Sequence, residues 1–264
     1  MKMRTRVRAL FLALMFCGCT HAGATTLTPN FSDLWWNANE SGWGLNVAQQ
    51  ADVIFVTLFV YNANTQAVWY SATLNLVSST SGPEYVFTGD LFQTAGPPFS
   101  NVPYMPGAVV YRRVGTMTFD ATSSFTAALQ YSVDGTSVTK QIGRQTLRAN
   151  TIVGSYLGST SDITSGCINP ANNGRRTEDP GPISIVQAGS QVVITAPTCA
   201  FTGTYSQQGQ TGRIDNGAYI CSNNAAGSIT FTDIYVEQSG IIGKYSGHDL
   251  TCNFQGNIGA TRRK

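Results

Sequence analysis

Apolar and polar residues alternate in short runs along most of this chain, and residues that favour turns separate the runs. Alternation with a period of two is typical of β-strands, whose successive side chains point to opposite faces. Short links such as Asn62-Ala63-Asn64 and Asp134-Gly135 favour antiparallel neighbours. The first half is therefore predicted to hold eight strands, near residues 33–38, 42–49, 53–61, 67–77, 84–92, 111–119, 124–132 and 136–147.

A second series of eight strands follows a boundary at Arg148-Ala149-Asn150. Residues 25–149 and 150–264 are each long enough to bury a core of their own. We expect an all-β protein of two consecutive antiparallel meander β-barrels, each of about eight strands. The second series is predicted near residues 152–158, 183–187, 191–197, 199–206, 213–221, 228–237, 240–246 and 250–260.

The second half repeats the pattern Gly-x-Tyr. A glycine beside an aromatic residue lets a sheet bend sharply while the ring covers the gap. The recurrence indicates a strongly coiled sheet, as in a closed barrel. It occurs at Gly154-Ser155-Tyr156, Gly203-Thr204-Tyr205, Gly217-Ala218-Tyr219 and Gly243-Lys244-Tyr245.

The composition excludes several classes of protein. The chain has 264 residues, of which 42% are hydrophobic and only 11% charged, which fits neither a disordered chain nor a coiled coil. Four of the 16 basic residues stand in the first eight positions, and without them 12 basic residues face 14 acidic ones. A nucleic-acid partner is therefore not expected.

Residues 1–24 are predicted to be a signal peptide. A basic start precedes a short apolar core, and Ala22-Gly23-Ala24 supplies a cleavage site with small residues. The apolar run is too short to span a membrane. We expect export to the periplasm or the extracellular space. The alternative is an outer-membrane lipoprotein, because Phe16-Cys17-Gly18-Cys19 resembles a lipidation box ending at Cys19.

Four cysteines beyond the leader imply two disulfides in an exported protein. A hairpin centred near residue 210 would place Cys199 directly opposite Cys221, so we predict that these two pair. By elimination Cys167 would then pair with Cys252. No Cys-x-x-Cys motif occurs, and neither a metal site nor a cofactor is expected.

The four tryptophans lie within residues 35–69. Trp35 and Trp36 are adjacent and must point to opposite faces of a strand, so one ring faces a core and the other does not. We predict an apolar cavity inside the first barrel, covered by the proline-rich loop 93–110, although the loop's apolar residues could simply plug the barrel end. The predicted ligand contacts are Trp36, Trp43, Phe59 and Trp69 in the barrel and Phe99, Tyr104 and Met105 in the loop.

Lys140, Arg144 and Arg148 share one face of the last strand with Ile142. That face could simply be solvated, but a cationic side chain can also stack on a tryptophan of the first strand. Trp35 or Trp36 with Arg144 resembles the Trp–Arg signature of the calycin barrels, the lipocalin and avidin group. Gly154-Ser155-Tyr156 with Arg262 resembles it more faintly. The resemblance implies a structural pair of Trp35 and Arg144, in a barrel that holds a small apolar ligand or presents loops to a partner.

The segment from Leu34 to Tyr70 also resembles an exported bacterial β-domain family that begins Trp-Trp-Asn…Glu-Ser-Gly-Trp-Gly, to which no activity is attached. Catalytic motifs are lacking: there is no nucleophile elbow, zinc-protease helix, phosphate loop or dinucleotide fingerprint. His248-Asp249 is interpreted as a turn, and nothing in the sequence brings Glu40 and Glu84 together as a glycosidase pair.

The sequence therefore predicts a non-enzymatic binding protein. Its partner would be a small apolar ligand in the first barrel or an extracellular macromolecule. One alternative is an interaction protein, such as a hydrolase inhibitor, that acts through loops 93–110 and 159–182. Another is a carbohydrate-binding module with exposed tryptophan platforms.

We predict that export removes residues 1–24 and leaves Thr25 at the N-terminus. The intact mass of the exported protein measures this directly. A diacylglyceryl or triacylglyceryl mass on Cys19 would instead show processing as a lipoprotein.

Overall fold

A computed structural model describes residues 28–79, 85–100 and 102–263. It contains two closed antiparallel barrels of eight strands each, as the sequence predicts. Barrel 1 consists of β1 (Asp33–Trp36), β2 (Gly44–Gln50), β3 (Val53–Tyr61), β4 (Ala67–Ser79), β5 (Tyr85–Ala95), β6 (Val110–Ala121), β7 (Thr126–Val133) and β8 (Thr136–Arg144). Barrel 2 consists of β9 (Gly154–Ser165), β10 (Arg176–Ala188), β11 (Gln191–Thr195), β12 (Cys199–Gln208), β13 (Thr211–Cys221), β14 (Ala226–Val236), β15 (Gly240–His248) and β16 (Asn253–Arg262).

Each barrel is a simple meander, in which every strand pairs with the next and the last strand pairs with the first. Two short 3-10 helices lie in the connections, at Pro106–Ala108 and Pro170–Asn172. In the described part of the chain no helix is long and apolar enough to cross a membrane.

The interior of barrel 1 is filled by side chains. Alternate residues of the strands point inward, and most of these are apolar, as Ile54, Val56 and Leu58 of β3 show. The largest rings meet at one end, where Phe119 lies edge-on to Trp35 with ring centroids 5.0 Å apart. Phe31, which precedes β1, packs between these rings and closes the end of the barrel.

Barrel 1 closes where β1 meets β8. These strands pair at Trp35–Arg144 and Trp36–Gly143, whereas β9 and β16 pair along most of their length in barrel 2. The Arg144 guanidinium lies 5.0 Å from the centroid of the Trp35 ring, the cation–π contact that the calycin resemblance implies. Because so few backbone pairs join β1 to β8, side-chain contacts contribute much of the stability of the closed barrel.

Arg144 is fully buried and binds in several directions. Its Nε donates to the Ser124 carbonyl at 2.6 Å, its Nη1 to Asp33 Oδ2 at 3.0 Å, and its Nη2 to the Asn30 carbonyl. The ion pair with Asp33 neutralises the buried guanidinium, and the carbonyls use its remaining donors. One side chain thus joins β8 to the N-terminal segment, β1 and the β6–β7 turn.

Barrel 2 repeats this closure with different residues. Tyr156 OH donates to the Ile152 carbonyl at 2.7 Å, just as Trp35 Nε1 donates to the Phe31 carbonyl at 2.9 Å four residues back. The Arg262 guanidinium lies 4.9 Å from the Tyr156 ring centroid. Each barrel therefore has one end closed by an aromatic residue of its first strand and an arginine of its last.

The β12–β13 turn of barrel 2 packs against the closed end of barrel 1. Gln210 N–H donates to Asp33 Oδ2 at 2.8 Å, the same oxygen that binds Arg144. Gly209 has φ +59°, and a Cβ there would stand 2.0 Å from Asp33 Oδ2, so glycine is required by both conformation and space. The buried ion pair thus also joins the two barrels.

Both predicted disulfides are present, Cys199–Cys221 and Cys167–Cys252. The hairpin behind the first differs in detail from the prediction. Its turn is the two-residue Gly209–Gln210, and a register shift within β12–β13 brings Cys199 opposite Cys221. Asn216 takes φ 50° in the shifted stretch. Without this bulge the cysteines would be one residue out of register and on opposite faces.

The prediction of a long loop at residues 159–182 is wrong. β9 continues to Ser165 and β10 begins at Arg176, so only residues 166–175 form a connection. β10 includes Pro180 and Pro182, although proline cannot donate to a β-ladder. This part of β10 pairs with β9 alone, since β11 reaches only as far as Ser184. The edge of β10 that faces away from β9 has no partner strand here, so both proline rings fit.

The predicted signal peptide, including Cys19, lies outside the described residues. The two disulfides are compatible with an oxidising, exported location. The strands of the two barrels fall on either side of the linker that contains Arg148-Ala149-Asn150.

The closure predicts that Arg144→Ala destabilises barrel 1 by about 3–5 kcal/mol, because Asp33 is left buried without its partner. Urea unfolding followed by tryptophan emission measures this, since every tryptophan of the chain belongs to barrel 1.

Arg112→Ala is the matched control. It removes an ion pair with Asp134 in which both side chains are 55% exposed, and should change the unfolding midpoint little, because solvent screens exposed ion pairs. Equal losses in the two variants would show that the closure does not depend on Arg144.

The disulfides should contribute unequally. Cys167–Cys252 spans 85 residues and Cys199–Cys221 spans 22, so the loop-entropy model gives about 4 and about 3 kcal/mol. Replacing each pair by alanines and following urea unfolding by circular dichroism tests the order. The prediction fails if loss of the hairpin disulfide is the more damaging.

Candidate functional site

Three of the residues expected to line an internal cavity lie on the outside of barrel 1. Leu58 and Tyr70 point inward and are buried, so their neighbours Phe59 and Trp69 point outward. Phe59 is 52% exposed and Trp69 48% exposed. Trp36 is half-buried and faces outward beside the inward Trp35, which confirms that these two rings take opposite faces.

The prediction that Trp36, Phe59 and Trp69 line an apolar cavity inside barrel 1 is therefore wrong. The interior positions are occupied by side chains such as Phe87, Leu91 and Phe119, which are inaccessible to solvent. A β-run in which nearly every residue is apolar, as in Val53–Tyr61, does not reveal by itself which face is inside. Thr57 was the available signal, because it shares a face with Phe55 and Phe59.

The proline-rich connection between β5 and β6 does not cover the barrel. Phe99 is 97% exposed, and Tyr104 and Met105 are each more than half exposed. Neither the expected lid nor the expected plug is formed. These residues instead make an exposed apolar connection at the end of barrel 1 opposite Arg144.

That open end of barrel 1 carries the fourth predicted residue, Trp43. Its Nε1 donates to Glu40 Oε2 at 3.2 Å, and Lys140 Nζ reaches the same oxygen at 2.7 Å. Lys140 also lies 6.0 Å from the centroid of the Trp43 ring. The hydrogen bond from Lys140 lowers the pKa of Glu40. These contacts brace the β1–β2 turn across the barrel mouth and give Glu40 a structural role.

The face of β8 that holds Lys140, Ile142 and Arg144 thus points inward. Ile142 and Arg144 are buried, and Lys140 lies at the mouth. Arg148 lies beyond the strand and is exposed. The interpretation of this face as a solvated one is wrong for the first three residues, because the barrel closes around them.

Trp36, Phe59 and Trp69 form what we call the aromatic face, a row across the outer surface of β1, β3 and β4. Phe59 and Trp69 are direct cross-strand neighbours. Gly44 of β2 pairs with Phe59 and separates it from Trp36. Exposed apolar surface arranged as a contiguous patch, rather than scattered, marks an interaction site.

Glycines flank Trp36 on both sides. It pairs with Gly143 of β8, and the Cβ that Gly44 lacks would stand only 2.9 Å from the Trp35 carbonyl oxygen. Neither glycine has a side chain, so the backbone beside the Trp36 indole is not covered from the neighbouring strands. At Gly44 the surface between Trp36 and Phe59 forms a shallow depression. A ligand can approach the ring from either side.

A polar groove of about 480 Å³ adjoins the aromatic face on the outer surface of β3, β4 and β5. Gly89 lies in its floor, where a Cβ would come within 2.2 Å of the Thr73 carbonyl oxygen. Its polar and aromatic walls come from Phe55, Ser71, Thr73, Asn75, Asp90 and Phe92. The groove therefore places hydroxyl, amide and carboxylate groups within one or two strands of the exposed rings.

The outward positions of β1 to β4 carry no charged side chain among the described residues. Charge begins at the far wall of the groove, where Arg113 Nε binds Asp90 Oδ1 at 2.7 Å. The surface is thus aromatic and hydroxyl-rich but nearly neutral. Such a surface suits a neutral ligand with both apolar faces and hydroxyl groups.

The His248-Asp249 pair does not form a catalytic dyad. His248 contacts Ser228 Oγ through Nδ1 at 2.9 Å on the outer surface of barrel 2. Asp249 turns away and accepts hydrogen bonds from Thr251 and Cys252. The turn interpretation of this dipeptide agrees with these contacts. Glu84 lies outside the described residues.

No protein-family model, no curated protein and no solved structure matches this chain. The barrel shape alone does not identify the calycin group, since many unrelated proteins share closed eight-stranded barrels. The functional argument therefore depends on the side chains of this chain.

Proposed function

We propose that this protein is an exported, non-enzymatic carbohydrate-binding protein whose ligand is a neutral polysaccharide chain. The observation that carries the proposal is the exposed Phe59–Trp69 pair beside a polar groove. The proposal adopts the tryptophan-platform alternative of the sequence analysis and moves the ligand from the barrel interior to its outer surface.

The aromatic face supplies the apolar part of recognition. Sugar rings have C–H faces that pack flat against Trp and Phe, and large rings contribute much area at little entropic cost because they have few rotatable bonds. Phe59 and Trp69 are about half exposed without a ligand, so covering them removes apolar area from water. Trp36, beyond Gly44, offers a further ring for the next part of an extended chain.

The groove supplies the polar part. Ser71, Thr73 and Asn75 lie on alternate positions of β4 and project to the same side as Trp69. Their hydroxyl and amide groups can both donate and accept, which matches sugar hydroxyls that also do both. Asp90 adds an acceptor at the far wall. A polysaccharide lying from the rings into the groove would satisfy both parts.

A protein partner is less suited to this surface. Protein interfaces are enriched in Arg and Met beside their aromatic residues, and neither type occurs at the outward positions of β1 to β4. One observation favours a protein partner elsewhere: Phe99 is 97% and Val102 95% exposed in the β5–β6 connection. An interaction protein that acts through the β5–β6 connection is therefore the second candidate function. Phe99 of this connection also provides the control for the binding experiment.

Retardation in native gels that contain dissolved neutral polysaccharides, together with sedimentation on cellulose and chitin, tests the proposal. The parent protein should be retained by at least one of these polymers. Phe59→Ala and Trp69→Ala should each weaken binding about ten-fold, because each removes a stacking ring of the order of 1.4 kcal/mol. Both side chains lie on the outer surface, so barrel 1 should remain folded.

Phe99→Ala is the matched control, because it removes an exposed ring from the same barrel away from the aromatic face. Its retention should equal that of the parent. Failure of every polymer to retain the parent protein, or an equal loss in Phe99→Ala, would refute binding at the aromatic face.

A further inference from the structure

Barrel 2 contains a cavity of about 550 Å³ at the end away from barrel 1. This end carries the β9–β10, β11–β12, β13–β14 and β15–β16 connections, and both disulfides line the cavity. The other end is closed by Tyr156 and Arg262. The volume lies within the usual range for small-molecule sites, about 300–1,000 Å³.

One side of the cavity is acidic. Asp162 of β9 accepts a hydrogen bond from Tyr245 OH on Oδ2 at 3.1 Å, and burial raises the pKa of Asp162. Asp179 of β10 is only 7% exposed, and its Oδ2 accepts Thr198 N–H at 2.9 Å. No donor from the described residues contacts its Oδ1, and neither carboxylate takes part in an ion pair there. Two desolvated carboxylates thus face the cavity without a cation.

Aromatic side chains form another part of the wall, beginning beside Asp162. Tyr219 and Phe254 lie edge to face with ring centroids 5.3 Å apart, and Tyr245 lies 6.3 Å from Phe254. Phe201 extends the row, 6.5 Å from Tyr219. Burial, together with the charge of Asp249, raises the pKa of Tyr219 to about 12, so its ring stays neutral. Neutral aromatic faces attract cations.

Glycines let the side chains that line the cavity pack close to the barrel wall. Gly256 pairs with Asp162 on the inner surface, and a Cβ there would stand 2.7 Å from Tyr245 Cζ and 2.8 Å from Asp162 Cβ. A Cβ at Gly247 would stand 2.4 Å from Phe254 Cζ. The rings of Tyr245 and Phe254 and the carboxylate of Asp162 therefore lie where any residue other than glycine at 247 or 256 would collide with them. The Gly-x-Tyr recurrence in the sequence places glycines and tyrosines on this one inner face.

We propose that this cavity binds a small organic cation, an alkylammonium or quaternary ammonium group held between Asp162 and the rings of Tyr219, Tyr245 and Phe254. The carboxylate supplies the opposite charge, and the aromatic wall supplies cation–π contacts. This site lies on the other barrel and is independent of polysaccharide binding.

Charge and chemistry favour an organic cation over a metal ion. In the described part of the chain no three acidic, histidine or cysteine side chains converge as metal ligands. Three carboxylates, of Asp162, Asp179 and Asp249, line the cavity against one guanidinium, Arg175, which leaves a negative balance. Arg175 is exposed and lies in the β9–β10 connection at the rim. The charged side chains in the inner part of the cavity are therefore all acidic.

Calorimetric titration of the oxidised protein with tetramethylammonium, choline and benzylamine tests the site, with 3,3-dimethylbutan-1-ol as the neutral isostere of choline. At least one cation should bind, and the isostere should not. Asp162→Asn preserves shape but removes the charge, and should weaken binding ten-fold or more. Asp179→Asn is a second isosteric variant with the same expected direction. Circular dichroism spectra and thermal unfolding that match those of the parent check that each variant stays folded.

Glu178→Gln is the matched control, because it removes the same charge from the adjacent position of β10, which faces outward. Its affinity should stay within two-fold of the parent. The proposal is overturned if no cation binds up to the millimolar range, if choline and its neutral isostere bind equally, or if Glu178→Gln weakens binding as much as Asp162→Asn.

Discussion

The buried contact of Arg144 with Trp35 and Asp33 is the constraint on which the rest of the structure depends. A closed barrel has no free edge, but it must join its last strand to its first. In barrel 1 this join is short, and the guanidinium compensates by binding the N-terminal segment, the β6–β7 turn and a buried carboxylate together. Because Asp33 also accepts Gln210 N–H, the same contact fixes the position of barrel 2 against barrel 1.

Closing one end in this way leaves the two barrels with different interiors. Barrel 1 packs large side chains such as Phe87, Leu91 and Phe119 into its interior, and its exposed rings lie on the outer surface. Barrel 2 has glycines beside several of its inward aromatic residues, and its rings pack against these glycines and against one another. The same topology thus yields one barrel with a packed interior and one that has a core and, at one end, a cavity. The two proposed sites follow from that difference.

The closure that the barrels share does not decide what they bind. Trp35 with Arg144 and Tyr156 with Arg262 occupy equivalent places, yet the surfaces around them carry different chemistry. Function in such barrels lies in the side chains placed on the scaffold. In the two proposed sites those are neutral rings and hydroxyls outside barrel 1, and carboxylates and tyrosines inside barrel 2.

The sequence by itself determined the all-β class, the number of strands and the disulfide partners, because alternation and turn residues are local signals and four cysteines allow few pairings. The contact of Trp35 with Arg144 joins the first and last strands of barrel 1, and only the calycin resemblance implied it. Only the tertiary structure decided which face was inside. The run Val53–Tyr61 is apolar on both faces except at Thr57, so the local pattern distinguishes Leu58 from Phe59 only weakly. Closure of the sheet makes Leu58 buried and Phe59 exposed. The cavity of barrel 2 also depended on closure, since Asp162 and Tyr245 are far apart in sequence and meet only when β16 pairs with β9.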